Sequence, residues 1–200
     1  MKQIDGIWWP DSDKECHPVV PRHVRDMNKA LPLCRSRKCV VQAGGNVGVW
    51  AGHLANEFET VWTFEPEKEN YACLERNLQG VDNIHHINAA LGHKAGVAGM
   101  HRVPNNAGAH WLIKGEEDIP VITIDNLKLP ACDLMILDTE GNEPDILVGA
   151  RETLGAHKPV LMIEDKGLSE RFGAPQGWTD AIEGYQVVDR VHRDVILVPE

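Results

Sequence analysis

The chain has 200 residues, 42% of them hydrophobic, with 30 acidic against 20 basic side chains and a formal net charge of −10. That length supports one well-buried core and is short for two. The acidity, with no Lys/Arg run longer than two residues, argues against a nucleic-acid partner and for small or neutral ligands. No stretch approaches the ~18 apolar residues of a membrane span, and no signal-peptide core follows Met1–Asp5. A cytoplasmic protein without a membrane partner is therefore expected. Oligomeric state leaves no trace in the sequence.

Five cysteines, at 16, 34, 39, 73 and 132, form an odd, scattered set and not a disulfide framework. A zinc site can be drawn from Cys34, Cys39 and Cys16-His17, but the C-x-x-C spacing is absent. The expectation is reduced thiols and no structural metal.

Residues 1–38 read as a Pro-rich extension or lid, with a helix over Val20 to Leu31 interrupted by Pro32. Trp8-Trp9 either stack on a substrate or cover one edge of the core. From Cys39 the pattern sharpens. A strand, Cys39 to Ala43, runs into the turn Gly44-Gly45-Asn46-Val47-Gly48, and a helix beginning near Val47 carries Trp50, Leu54 and Phe58 at helical spacing. A second strand, Thr60 to Phe64, ends at Glu65, 21 residues after Gly44. Glycine lets a backbone turn sharply and approach a ligand, and a carboxylate at the next strand's tip can accept bonds from both ribose hydroxyls. The alternative is a strand-to-helix turn that binds nothing. The order G-G-x-x-G also departs from the dinucleotide fingerprint G-x-G-x-x-G.

Glu67 to Leu78 reads as a helix with Pro66 near its first turn, and Ile84 to Leu91 as a third strand. Between Gly92 and Gly115 a hairpin is expected from Met100-His101-Arg102-Val103 and His110-Trp111-Leu112-Ile113. Strands over Val121 to Asp125, Leu134 to Leu137 and Pro159 to Glu164 follow, with a short helix after the first and a helix over Glu143 to Leu154 after the second. A helix near Thr179 to Glu183 leads to a hairpin of Tyr185 to Val188 and Val195 to Val198. This alternation predicts a largely parallel α/β sheet with an antiparallel strand at its edge. Ligands of such sheets bind beyond the carboxyl ends of the strands, where Gly44 to Gly48, Glu65, Asn88 to Ala90, Asp138 to Gly141 and Glu164 to Lys166 converge.

Four blocks in order resemble the FkbM family of S-adenosylmethionine-dependent methyltransferases: Val41 to Gly48, Phe64-Glu65-Pro66, Ile87 to Gly92, and Ile136 to Pro144. The likeness extends through Ile146 to Ala150 and covers about residues 38 to 166. It implies a Rossmann-like class I methyltransferase fold, a mostly parallel seven-stranded sheet with a terminal antiparallel hairpin, in a domain over 39–200. It also implies S-adenosylmethionine as cofactor and methyl transfer to oxygen, often of a sugar or natural-product hydroxyl. Carried over, Gln42, Gly44, Gly45, Asn46 and Gly48 hold the methionine part, Glu65 and Pro66 the ribose, and Asn88, Ala89 and Ala90 the adenine. Asp138 and Glu140 face methyl donor and acceptor. Three positions depart from the family's usual pattern: Gln42 for Asp, Ile136 for Lys, and Lys166 for His.

An acceptor hydroxyl needs a place to send its proton, and Asp138 or Glu140 at a strand end can accept it. Alternatively Asp138 bonds the cofactor or loop backbone, and Glu140 and Glu143 favour the following helix N-terminus. Asp138, Glu164 and Asp165 form an oxygen-rich magnesium alternative, although no metal is the main expectation. Lys166 is either a charge beside the acceptor hydroxyl or solvated; His110 beside Trp111 is a candidate substrate contact. The rival functions are a nicotinamide-dependent oxidoreductase, disfavoured by the glycine spacing, a nucleic-acid or protein methyltransferase, and an S-adenosylmethionine-binding protein without catalysis.

Overall fold

A computed structural model describes residues 1–115, 119–172 and 177–200. In chain order its strands and α-helices are β1 Lys2–Ile4, β2 Ile7–Trp9, α1 Val20–Met27, β3 Cys39–Ala43, α2 Val49–Leu54, β4 Thr60–Phe64, α3 Lys68–Asn77, β5 Ile84–Ile87, β6 Ala90–Leu91, β7 Gly96–His101, β8 Trp111–Ile113, β9 Ile119–Ile122, β10 Leu134–Leu137, α4 Glu143–Val148, α5 Arg151–His157, β11 Val160–Glu164, β12 Tyr185–Val191 and β13 Asp194–Pro199. Seven strands form the central sheet, in the order β12-β13-β11-β10-β3-β4-β5. Strands β11, β10, β3, β4 and β5 are parallel. β13 runs against them and against β12, so the antiparallel strand lies one place in from the expected edge.

Residues alternate between the two faces of each strand, and both faces here are apolar. Val40, Val61, Leu134, Ile136, Met162 and Ile196 pack against Trp50, Leu54, Leu74 and Leu78 on one side. Val41, Phe64, Met135, Leu137, Ile163 and Leu197 pack against Ile146, Leu147 and Leu154 on the other. Full burial of such a side chain is worth about 1.5–3 kcal/mol, so the apolar runs hold the sheet while its strand ends are free to carry polar residues.

Several boundaries differ from those expected, each for a local reason. The strand from Ile84 stops at Ile87, because the Asn88 amide donates to the carbonyls of Glu65 and Pro66 and pulls the chain out of line. Ala90-Leu91 instead join a second sheet, β6-β9-β7-β8, with the expected β7–β8 hairpin at its edge; the strand expected over Val121 to Asp125 belongs to this sheet as β9. The helix from Glu143 breaks after Val148, where a Cβ on Gly149 would lie 2.1 Å from the Gly92 carbonyl oxygen. α1 ends at Met27, and Leu31–Leu33 form a separate 3-10 turn. In place of a helix near Thr179, Gly177–Asp180 form a 3-10 turn.

The first residues contain a β1–β2 hairpin. Trp9 is buried with Cys16, Val47, Cys73 and Ala107, and Trp8 lies under the Arg76 guanidinium at 3.6 Å. Both tryptophans therefore cover an edge of the core. Buried Asp13 ties this segment to the β7–β8 connection: its carboxylate accepts from the backbone N–H groups of Cys16, His17 and Ala107. Burial alone would raise its pKa, but these bonds and the His17 ring outweigh it and lower it.

Candidate active site

Strand register builds the site. Ala43 pairs with both Phe64 and Leu137, Phe64 with Ile87, and Leu137 with Ile163. The next residues, Gly44, Glu65, Asp138, Asn88 and Glu164, therefore leave one edge of the sheet together, and Asp194 joins them opposite Glu164. Above them lies a cleft of about 540 Å³, within the range of small-ligand pockets. Its walls are the glycine loop, the end of β4, Asp138 to Glu140, the β7–β8 connection, α1 and the β12–β13 turn.

At the glycine loop, Gly44 has φ +85°, and a Cβ there would stand 1.9 Å from the Asp138 carbonyl oxygen. A Cβ on Gly45 would stand 2.6 Å from Thr63 Oγ1. Gln42 lines the cleft, but its side chain already accepts from Thr63 Oγ1 at 3.0 Å and donates to the Gly44 carbonyl at 3.3 Å. It braces the loop. Asn46, with φ +48°, donates its backbone N–H to Glu65 at 2.7 Å and its amide to the Ala107 carbonyl at 3.1 Å.

Glu65 is buried, and its two oxygens accept from the N–H groups of Asn46 and Glu67 at 2.7 and 2.8 Å. Burial nevertheless pushes its pKa up to about 8 from an ordinary 4.5. Below 4.5 both folded and unfolded chains carry the proton; between 4.5 and 8 the folded chain holds more of it, so this group's contribution to stability falls as pH rises. For a ribose held by the ionised carboxylate, adenosine affinity should increase by up to about tenfold per pH unit between about pH 6 and 8 and then level off. Glu65→Gln should flatten that profile, and Glu65→Ala should cost tenfold or more in affinity, from two bonds worth about 1.5–3 kcal/mol each at most. Calorimetry checks both; a flat wild-type profile would remove Glu65 from the ribose.

Of the residues expected from sequence, Gln42, Gly44, Gly45, Asn46, Glu65, Pro66, Ala90, Asp138 and Glu140 line the cleft. Gly48, Asn88 and Ala89 are not in its wall. Gly48, at φ +88°, starts α2 against Leu74 and Leu78. Asn88 spends its amide on backbone carbonyls, and Ala89 is buried. Sequence reasoning missed Asn70, which lines the cleft with its amide nitrogen on Ala107 and its Oδ1 buried without a hydrogen-bond partner. Its signal was a polar residue in the apolar stripe that also carries Leu74. It placed α1 in a lid without naming Val20, His23 and Asp26, which α1 brings to the cleft wall.

On the opposite side the carboxylates gather. Among the described residues, Asp138, Glu140 and Glu164 each bring an oxygen within 4.8 Å of the others. Asp165 is not one of them; it pairs with Arg190 at 3.0 Å. Lys166, in contact with Glu140 at 2.8 Å and with Glu164, is paired and not free in solvent. Glu143 is buried and accepts from the N–H groups of Thr139 and Gly141 and from the Thr139 hydroxyl, so it shapes the loop that presents Asp138 and Glu140. Burial first, and then the negative charges of the nearby Asp138 and Asp26, push Asp194 up to about 7. His110 accepts from the Val103 N–H, and its pKa is lowered, chiefly by burial. It stands in the cleft wall beside Trp111.

This sheet order, with β13 inserted antiparallel beside β11 and a glycine loop after β3, is that of class I methyltransferases. The sequence family described as the methyltransferase FkbM domain matches residues 42–190. The chain belongs to that family, whose methyl donor is S-adenosylmethionine. Among solved structures it is similar to methyltransferase FkbM from Methylobacillus flagellatus KT (TM-score 0.55, 20% identity), covering 90% of this chain and 50% of that one. The chain thus spans half the length of that relative. It is also similar to SMU.1697c from Streptococcus mutans, crystallised in complex with SAH (TM-score 0.53, 10% identity, 94% and 99% covered). A third similar fold is an rRNA methylase from Streptococcus thermophilus (TM-score 0.52, 12% identity, 90% and 96% covered). No curated protein matches the chain in sequence. No helix among the described residues is long and apolar enough to cross a membrane.

Proposed function

We propose that this chain methylates a hydroxyl oxygen of a small acceptor such as a sugar or glycan, using S-adenosylmethionine bound in the cleft. The fit of the cofactor rests on three features: the close-packed glycine loop, the buried Glu65 carboxylate and the unpartnered Oδ1 of Asn70. Bound there, S-adenosylmethionine supplies a methyl group that passes to the acceptor oxygen, leaving the electron pair of the broken C–S bond on sulfur. Gly44, Gly45 and Asn46 shape the methionine end of the site, Glu65 and Pro66 the ribose end, and Ala90 with Leu91 the adenine end.

One observation carries the choice of oxygen. The Asp138 carboxylate lines the cleft and, among the described residues, accepts no hydrogen bond, whereas Glu140 and Glu164 are both held by Lys166. Asp138 is thus the carboxylate free to take a hydroxyl proton. Glu140 faces the same space as a positioning group. Residues 39–200 form the catalytic domain, and residues 1–38 act as its lid, with Val20, His23 and Asp26 over the cleft.

The formal charge of −10 favours a small acceptor over RNA. The test offers methyl-labelled S-adenosylmethionine with sugars and polyols, amines and ribosomal RNA. Label on a small hydroxyl as an alkali-stable ether is the expected result. Label on RNA or on amines alone would contradict it, and tight cofactor binding without transfer to any acceptor would leave a binding protein.

A further inference from the structure

Three carboxylates with oxygens within 4.8 Å of one another, as in Asp138, Glu140 and Glu164, form the kind of oxygen set that holds hard divalent cations. In this chain a lysine reaches into that set. Nζ of Lys166 is 2.8 Å from Glu140 Oε1 and in contact with Glu164 Oε1, on a side chain 21% exposed. Glu164 is 8% exposed, and its second oxygen, Oε2, is buried without a hydrogen-bond partner. The positive charge in contact with this carboxyl group is the Lys166 ammonium. Glu140 sits at φ +59° beside Gly141 at φ +113°, a turn that Lys166 ties across to β11.

We propose that the Lys166 ammonium is the resident cation of this site, standing where a divalent ion would stand among Asp138, Glu140 and Glu164, so that the chain works without a metal. The first half of this statement is independent of the methyltransferase reading; the second half rests on it. Lys166 is a positioning residue: it holds Glu140 and Glu164 and leaves Asp138 as the carboxylate without a donor. Removing that ammonium leaves the three close carboxyl groups without a resident cation and opens the set to a divalent ion.

The test is titration with Mn²⁺, read as loss of the free-ion electron paramagnetic resonance signal, on wild type, Lys166→Met, Lys166→Arg and Lys166→Met/Glu164→Gln. Lys166→Met should bind one ion at least about tenfold more tightly than wild type or Lys166→Arg, and the added Glu164→Gln should abolish the gain. Circular dichroism checks folding, and Lys166→Gln replaces Lys166→Met if the latter does not fold. Wild type binding one Mn²⁺ as tightly as the folded neutral variant would overturn the inference, as would a folded neutral variant that binds none. Turnover of wild type should be unchanged by a chelator; loss restored by Mg²⁺ would overturn the second half. S-adenosylmethionine titrated into the same samples keeps the two readings apart, because a chain that takes no cofactor contradicts the methyltransferase reading and leaves the Mn²⁺ result standing.

Discussion

Asp138→Asn should lower turnover by about 10²–10⁴-fold while leaving cofactor affinity within a few-fold, since the amide keeps the shape of the carboxylate but takes no proton. The expectation follows from the register that sets Asp138 beside Gly44 and Glu164, and from the contrast between its free carboxylate and the lysine-bound Glu140 and Glu164. Single-turnover rates with an acceptor found in the panel, alongside calorimetric cofactor affinity, separate the two effects. Near-normal turnover would take Asp138 out of the base role and move attention to Glu164 or Glu140. A parallel loss of cofactor affinity would mean instead that Asp138 acts on the cofactor.

Gly44→Val should abolish cofactor binding. The position combines φ +85° with a Cβ that would lie 1.9 Å from the Asp138 carbonyl oxygen, so a side chain must separate the glycine loop from the end of β10. Left-handed backbone by itself costs a β-branched residue on the order of 1–3 kcal/mol. Gly80 supplies the control, because it has φ +83° with nothing within 4 Å of where a Cβ would stand. Gly80→Val should lose in thermal melts the stability that left-handed strain alone costs, yet keep its cofactor. If Gly44→Val stays folded and binds as well as wild type, the loop is a turn and not a cradle.

Much of this site could be read before the fold was known, because its parts are local. A glycine loop between a strand and a helix, and acids directly after apolar runs, need only period-two and period-3.6 patterns to be located. Parallel pairing then brings Gly44, Glu65, Asp138 and Glu164 to one edge. What could not be read is direction. Whether a residue after a strand points into the cleft or behind it depends on loop dihedrals, so Asn88 and Ala89 fell behind the wall while Ala90 and Leu91 entered it. The same limit hid the exchange of Asp165 for Glu140 in the acidic set, since the left-handed turn at Glu140-Gly141 re-aims that side chain.

Contacts distant in sequence were hidden for another reason. Residues 1–38 carry no periodic pattern beyond α1, yet Asp13 fastens them to Ala107 across 94 positions and makes them part of the cleft wall. Lys166 looked like a surface residue, because nothing in its neighbours signals the carboxylate that Glu140 presents from 26 residues away.

The most direct test of the account is calorimetric titration of the purified chain with S-adenosylmethionine, its demethylated product and NAD. One site that takes both sulfur nucleosides, lost in Gly44→Val and weakened in Glu65→Ala, with no heat from NAD, is the predicted result. Saturable binding of NAD with none of S-adenosylmethionine would contradict the account at its centre.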